Sequence, residues 1–360
     1  MNHRSFCIIL LICLLPEAAN AQNKFIPYNH SNIRYEGRIG KQKNAAELSW
    51  SGTTVTLYFK GTNVAAILQD LDTANYYNVI IDDKIIFKIH AERVKKSYVL
   101  AKGLPNKKHK VQLFKRTEWY MGKTWFYGFE TSQNTSILQP PPAPKRKIEF
   151  YGNSISCGYG MEDSSGNDSR NGYFQNNYLT YAALTARHFN AQYSCIARSG
   201  IGIMISWDRL IMPEMYDRLD ATDPNSKWDF AKYTPDVVIV SLFQNDCWLT
   251  NMPEHEQFRY RFGTTTPNKN YIIAAYRSFI EKLRSKYPKA HIICALGNMD
   301  ATREGSPWPG YIQQAVLQLK DAKIYTHFFK YKNTPGHPKT SEQKAMAVSL
   351  IDFIEKKIKW

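Results

Sequence analysis

No two cysteines in the chain are spaced as CxxC, and two of the six, Cys7 and Cys13, fall within residues 1–21. The other four, Cys157, Cys195, Cys247 and Cys294, each sit in or just after an apolar run. This excludes a zinc module built on cysteine pairs and reads as buried free thiols. There is no HExxH, and His188, His255, His291 and His327 lack metal-ligand spacing, so neither metal nor cofactor is expected. After Leu15 no apolar run approaches the ~20 residues a membrane-spanning helix requires, so no membrane insertion is expected. Acidic residues are few beside basic ones, 31 against 47, for a net charge of +16. The lysines gather in "NKKHK" (106–110) and "PKRK" (144–147) with no nucleic-acid-binding motif around them. They read as a solvated surface, or as one attracted to an acidic glycan or anionic cell surface, and no nucleic-acid partner is expected.

What is present begins with a leader. Arg4 precedes the apolar run Phe6 to Leu15, and Ala19-Asn20-Ala21 stands before Gln22. This is the pattern of a cleaved secretory signal over 1–21, so the mature protein is expected to be exported, periplasmic or secreted. Two rhythms follow. Over 22–133, short bursts such as "TTVTLYFKG", "NVAAILQD", "YYNVIIDDKIIFKIH" and "KHKVQLFKR" alternate apolar and polar residues between turn signals, which predicts an antiparallel β-sandwich. Pro140, Pro141, Pro142 and Pro144 then make 134–146 a stiff linker. From 147 to 360, buried runs ("KIEFYG", "QYSCIAR", "DVVIVSL", "HIICALG", "KIYTHFF") alternate with helix-length stretches, which predicts a parallel sheet covered on both faces.

In such sheets ligands sit beyond the carboxyl ends of the strands. The first strand ends in Gly152-Asn153-Ser154 and the second in Arg198-Ser199-Gly200-Ile201-Gly202. The third is followed by Phe243-Gln244-Asn245-Asp246, and His337 lies between the fifth strand and the last helix. Hydrolytic acyl transfer needs such a set: a hydroxyl, a base that titrates near neutrality, and donors aimed at an oxyanion. Ser154 is the candidate nucleophile and His337 the candidate base. The N–H groups of Ser154 and Gly200, with Gly202 as the alternative glycine, and the Asn245 amide are candidate oxyanion donors. Asp246 reads as structural. Trp248 and Trp308, each just past a strand end, are candidates to stack on sugar rings. Thr340 with Gln343 has capping-box spacing at the start of the last helix.

"GNSISCG" resembles the GDS motif of the SGNH (GDSL) hydrolases, and Gly200, the "QND" of Asn245 and His337 match that superfamily's later blocks in order. Ser156 stands where the second glycine of a G-x-S-x-G elbow would be, so the α/β-hydrolase pattern is not met. With "YEGRIG", "SWSG", "FKGT" and "LFKRTEW…GFE" in the preceding half, nearly all of the mature chain is similar to carbohydrate esterase family 2. The resemblance implies a jelly-roll sandwich followed by a flavodoxin-like three-layer αβα domain. It implies a carboxylic ester hydrolase that removes acetyl groups from polysaccharides such as acetylxylan or acetylated mannan, without a metal, and a monomer is expected. Asn153 replaces the aspartate of GDS and Phe243 the glycine of GxND. Thr334 and Pro335 occupy the places from which an aspartate often orients the histidine. A Ser-His dyad is therefore expected, with a main-chain carbonyl at His337 Nδ1; a carboxylate from Asp300, Glu342 or elsewhere would restore a triad. Two other readings are a glycan-binding protein that has lost activity and an SGNH esterase acting on another acylated substrate.

Overall fold

The computed structural model describes residues 23–360, so the leader expected over 1–21 lies outside the described residues. The first half alternates as its sequence does. Val64–Asp70, for example, buries Val64, Ala66, Leu68 and Asp70 and leaves the residues between half-buried, the period-two pattern of a strand with one covered face. Two six-stranded antiparallel sheets result. Leu57, Phe59, Leu68, Val79, Leu113, Phe126 and Phe129 fill the space between them. Ser136–Leu138 pairs with Thr54–Gly61, so the sandwich runs on into the expected linker. The prolines begin only at Pro140, which leaves the N–H groups of 136–138 free to join a ladder.

The second half holds five parallel strands: β1 (Lys147–Gly152), β2 (Gln192–Ala197), β3 (Val237–Ser241), β4 (His291–Leu296) and β5 (Ile324–Phe328), in the order β2-β1-β3-β4-β5. All but the edge strand β5 are buried almost throughout, as a sheet covered on both faces requires. Helices α2 (Tyr181–His188) and α6 (Thr340–Lys357) cover one face, and α4 (Lys269–Lys286) and α5 (Trp308–Leu319) the other. Gly152 is level with Ala197 of β2 and with Ser241 of β3. The segments leaving β1, β2 and β3 therefore emerge side by side. Among the described residues no helix is long and apolar enough to cross a membrane.

One buried polar joint between the two halves is built on Arg38. Arg38 of the sandwich, 1% exposed, donates to the carbonyls of Tyr216 and Arg218 (2.7 and 2.8 Å) and reaches the Glu149 carboxylate on β1 at 3.4 Å. Glu149 also accepts from the hydroxyls of Tyr151, Tyr287 and Ser194. Removing one partner of a buried pair leaves the other charge unpaired, which costs about 3–5 kcal/mol. Arg38→Ala is therefore expected to lower the unfolding free energy by roughly that amount in urea titration. A change under about 1 kcal/mol would show that the joint adds nothing to stability.

Candidate active site

Ser154 opens the one-turn helix α1 (Ser154–Cys157) directly after β1. Asn153 caps it, its Oδ1 accepting from the Ile155 N–H at 3.1 Å. An amide serves that cap as well as a carboxylate, so the replacement of aspartate here leaves the turn intact. Gly152 has no room for a side chain, because a Cβ would lie 2.0 Å from Ser156 Oγ. The Ser154 hydroxyl is 2.8 Å from His337 Nε2.

His337 Nδ1 faces a carboxylate. Asp168 Oδ2 lies 2.7 Å from Nδ1 and accepts from the His337 main-chain N–H at 2.7 Å, while Oδ1 accepts from Lys339 Nζ at 2.8 Å. The expected main-chain carbonyl is therefore corrected to Asp168, and the acid is neither Asp300 nor Glu342. Asp168 belongs to the loop after α1 and sits at φ +50, a left-handed conformation that aspartate tolerates better than most residues. Asp163 shapes this loop by accepting from the N–H groups of Ser165 and Ser169. Partial burial works against the charge of Asp168, but hydrogen bonds from His337 and Lys339 outweigh it and hold the carboxyl well below its usual range.

His337 is further held by the helix it precedes. Glu342 accepts from the Lys339 N–H at 2.7 Å, so the cap is one-sided and lies one residue before the expected Thr340–Gln343 pair. Gln343 is instead buried. It donates to the Ile155 carbonyl at 2.9 Å and accepts from the Tyr181 N–H at 2.8 Å, tying the histidine's helix to the serine's.

At the end of β2, Gly200 has φ +80 and its carbonyl accepts from the Trp207 N–H at 3.0 Å. Among the described residues its N–H has no acceptor, whereas the Gly202 N–H is taken by Ser206 Oγ at 2.9 Å. Asn245, in helix α3 (Gln244–Leu249), has its amide fixed at both ends. Nδ2 donates to the Ile201 carbonyl at 2.8 Å and Oδ1 accepts from Trp207 Nε1 at 3.0 Å, leaving one N–H unassigned. Asp246 accepts from the N–H groups of Ile203, Met204 and Ile205, and burial pushes its carboxyl up to about 6. Ser154, Gly200, Asn245 and His337 line one cavity of about 520 Å³ with Tyr120, Tyr159, Arg170, Arg198, Trp207 and Trp248. The arrangement provides a hydroxyl, an imidazole with its carboxylate, and two unengaged N–H donors around one open space, which is a set suited to acyl transfer.

Family models match the chain as "Carbohydrate esterase 2 N-terminal" over residues 35–141 and "GDSL-like Lipase/Acylhydrolase family" over 150–327. A cellulase/esterase of Acetivibrio thermocellus is 31% identical over 92% of this chain, which spans only 40% of that protein's length. An acetylxylan esterase / glucomannan deacetylase of Cellvibrio japonicus is 23% identical over 98% of this chain and 96% of its own. The structure of a family two carbohydrate esterase from Clostridium thermocellum, in complex with cellohexaose, superposes with a TM-score of 0.81 at 30% identity, covering 91% of this chain and 99% of that one. The chain belongs to carbohydrate esterase family 2.

Within this family 2 chain, Phe243 stands at φ +82, where a glycine would be unstrained. A bulky residue there costs about 1–3 kcal/mol. Its ring is fully buried against Tyr276 and Trp308 (centroids 4.8 and 4.9 Å), contacts that offset the strain. Trp308 is thereby removed from the candidate binding residues, because it is 5% exposed in the core beneath that ring. Trp248 does line the cavity, its Nε1 donating to Asp300 at 2.9 Å. The four cysteines among the described residues are free, three of them buried, and burial pushes the thiols of Cys195 and Cys294 up to about 12. Trp207 was open to the strand-end rule, lying in the loop after β2. Tyr120 was not, because it comes from the sandwich.

Proposed function

We propose that the protein is an exported carbohydrate O-acetyl esterase acting on plant polysaccharides such as acetylxylan or acetylated mannan. The observation that carries this is the line from Ser154 Oγ to His337 Nε2 (2.8 Å) and from Nδ1 to Asp168 (2.7 Å), opening on a cavity with an exposed tryptophan, Trp207. His337 takes the Ser154 proton as Oγ attacks the acetyl carbonyl, and Asp168 holds the imidazole's tautomer and offsets its positive charge. The N–H groups of Ser154 and Gly200 and the free Asn245 N–H receive the oxyanion. The sugar oxygen leaves with the proton from His337. Water, deprotonated by the same imidazole, then releases acetate from Ser154.

Family membership supports the carbohydrate esterase class, and the names of the relatives support the acetyl group and the polysaccharide. The intact set of groups favours an active enzyme over a glycan-binding protein. The purified protein is expected to release acetate from acetylated xylan or acetylated glucomannan, measured enzymatically. Release from neither, with 4-nitrophenyl acetate also untouched, would overturn the assignment.

A further inference from the structure

"TEW" (117–119) lies in the sandwich half of the chain, and the mechanism above gives it no part. Yet Glu118 is fully buried and its carboxylate points at the hydrolase domain. Oε2 accepts from the Ser199 N–H at 2.7 Å, and Oε1 accepts from the Ser199 hydroxyl. Cys157, the last residue of α1, lies 3.7 Å away through Sγ, and Gln175 donates to Oε1 at 3.4 Å. Glu118 has no ion-pair partner among the described residues. Buried Lys115 is near, but its Nζ bonds to the Glu118 carbonyl rather than the carboxylate. The next two residues also face the site: the Arg198 guanidinium lies 5.1 Å above the Trp119 ring, and Tyr120 lines the cavity.

Arg198 and Lys115 lie within electrostatic reach, but a fully buried carboxylate with no ion pair is still costly, and apolar packing would join the domains more cheaply. What this carboxylate gains is control of one peptide unit. The Gly200 N–H belongs to the peptide whose other half is Ser199. Glycine leaves that unit free to rotate unless both sides are fixed. Glu118 holds the peptide before it through the Ser199 N–H, and the Trp207 N–H holds the peptide after it through the Gly200 carbonyl, so the unit between is restrained from both flanks.

We propose that Glu118 is a positioning residue for the esterase reaction, supplied by the sandwich domain, which aims the Gly200 N–H at the developing oxyanion. The proposal rests on the acyl-transfer reading above. Misplacement of a donor by about 1 Å costs on the order of 10²-fold in rate. Glu118→Ala is therefore expected to lower kcat on 4-nitrophenyl acetate about 10²-fold with KM changed less than about threefold. Glu118→Gln, whose amide oxygen still accepts from the Ser199 N–H, is expected to stay within about tenfold of the parent. A folded Glu118→Ala with kcat within about threefold of the parent, or with the whole loss in KM, overturns the proposal. If Glu118→Ala does not fold, Glu118→Met decides, because it fills similar space without an acceptor for the Ser199 N–H: a kcat loss with KM held supports the proposal, and kinetics within about threefold of the parent overturn it. Ser154→Ala runs beside these. If it is inactive while the acceptor-less Glu118 variants match the parent, only this proposal fails. If it is active, the acyl-transfer reading fails first.

Discussion

Ser154→Ala should reduce turnover of 4-nitrophenyl acetate and of acetylated polysaccharide by at least roughly 10⁴-fold while leaving the circular dichroism spectrum unchanged. The missing atom is the one that would form the acyl bond, and no neighbouring hydroxyl replaces it. Ser156 Oγ is turned away and bonded to the Tyr181 hydroxyl at 2.8 Å. The fold should not notice, because among the described residues the Ser154 hydroxyl hydrogen-bonds to no side chain other than His337. What survives would be the contribution of the oxyanion donors to attack by water. A variant that keeps a tenth or more of the parent rate would remove Ser154 from the mechanism.

The second large effect is expected at Asp168. In Asp168→Asn one of the two oxygens becomes an NH₂ group, and both oxygens are already accepting. Turned toward His337, the NH₂ opposes the main-chain N–H and favours the imidazole tautomer with its proton on Nε2, which cannot accept from Ser154. Turned toward Lys339, it sets donor against ammonium. In either orientation the negative charge that offsets an imidazolium is lost. A fall in kcat of about 10²–10⁴-fold follows, with KM little changed. Steady-state kinetics within about fivefold of the parent would restore the dyad and leave Asp168 as a loop anchor.

The serine, the histidine, Gly200 and Asn245 could be picked out because strand ends are legible, whereas Gly202, the alternative glycine, has its N–H engaged by Ser206. Buried apolar runs mark the strands, and the parallel sheet brings their carboxyl ends to one level. Asp168 was not, because "MEDSSGNDSRN" has no periodicity and each of its acids reads equally well as a turn former. A search limited to the histidine's own loop could not reach it. Trp308 shows the opposite error. Its position beyond β4 is right for a site residue, but sequence does not say which way a ring turns, and here it packs under Phe243. Glu118 had a motif but no visible task, since its partner Ser199 lies in the other domain.

Gly336 gives the loop around His337 a further meaning. Its φ is +69, and a Cβ built there would lie 2.8 Å from both carboxylate oxygens of Asp168. Any side chain at 336 would therefore expel the acid from beside the imidazole. The aspartate at 168 therefore depends on a bare backbone at 336, which the positive φ there also requires. The catalytic acid is thus guarded by a residue 168 positions away in the chain that never touches the substrate's reacting atoms itself.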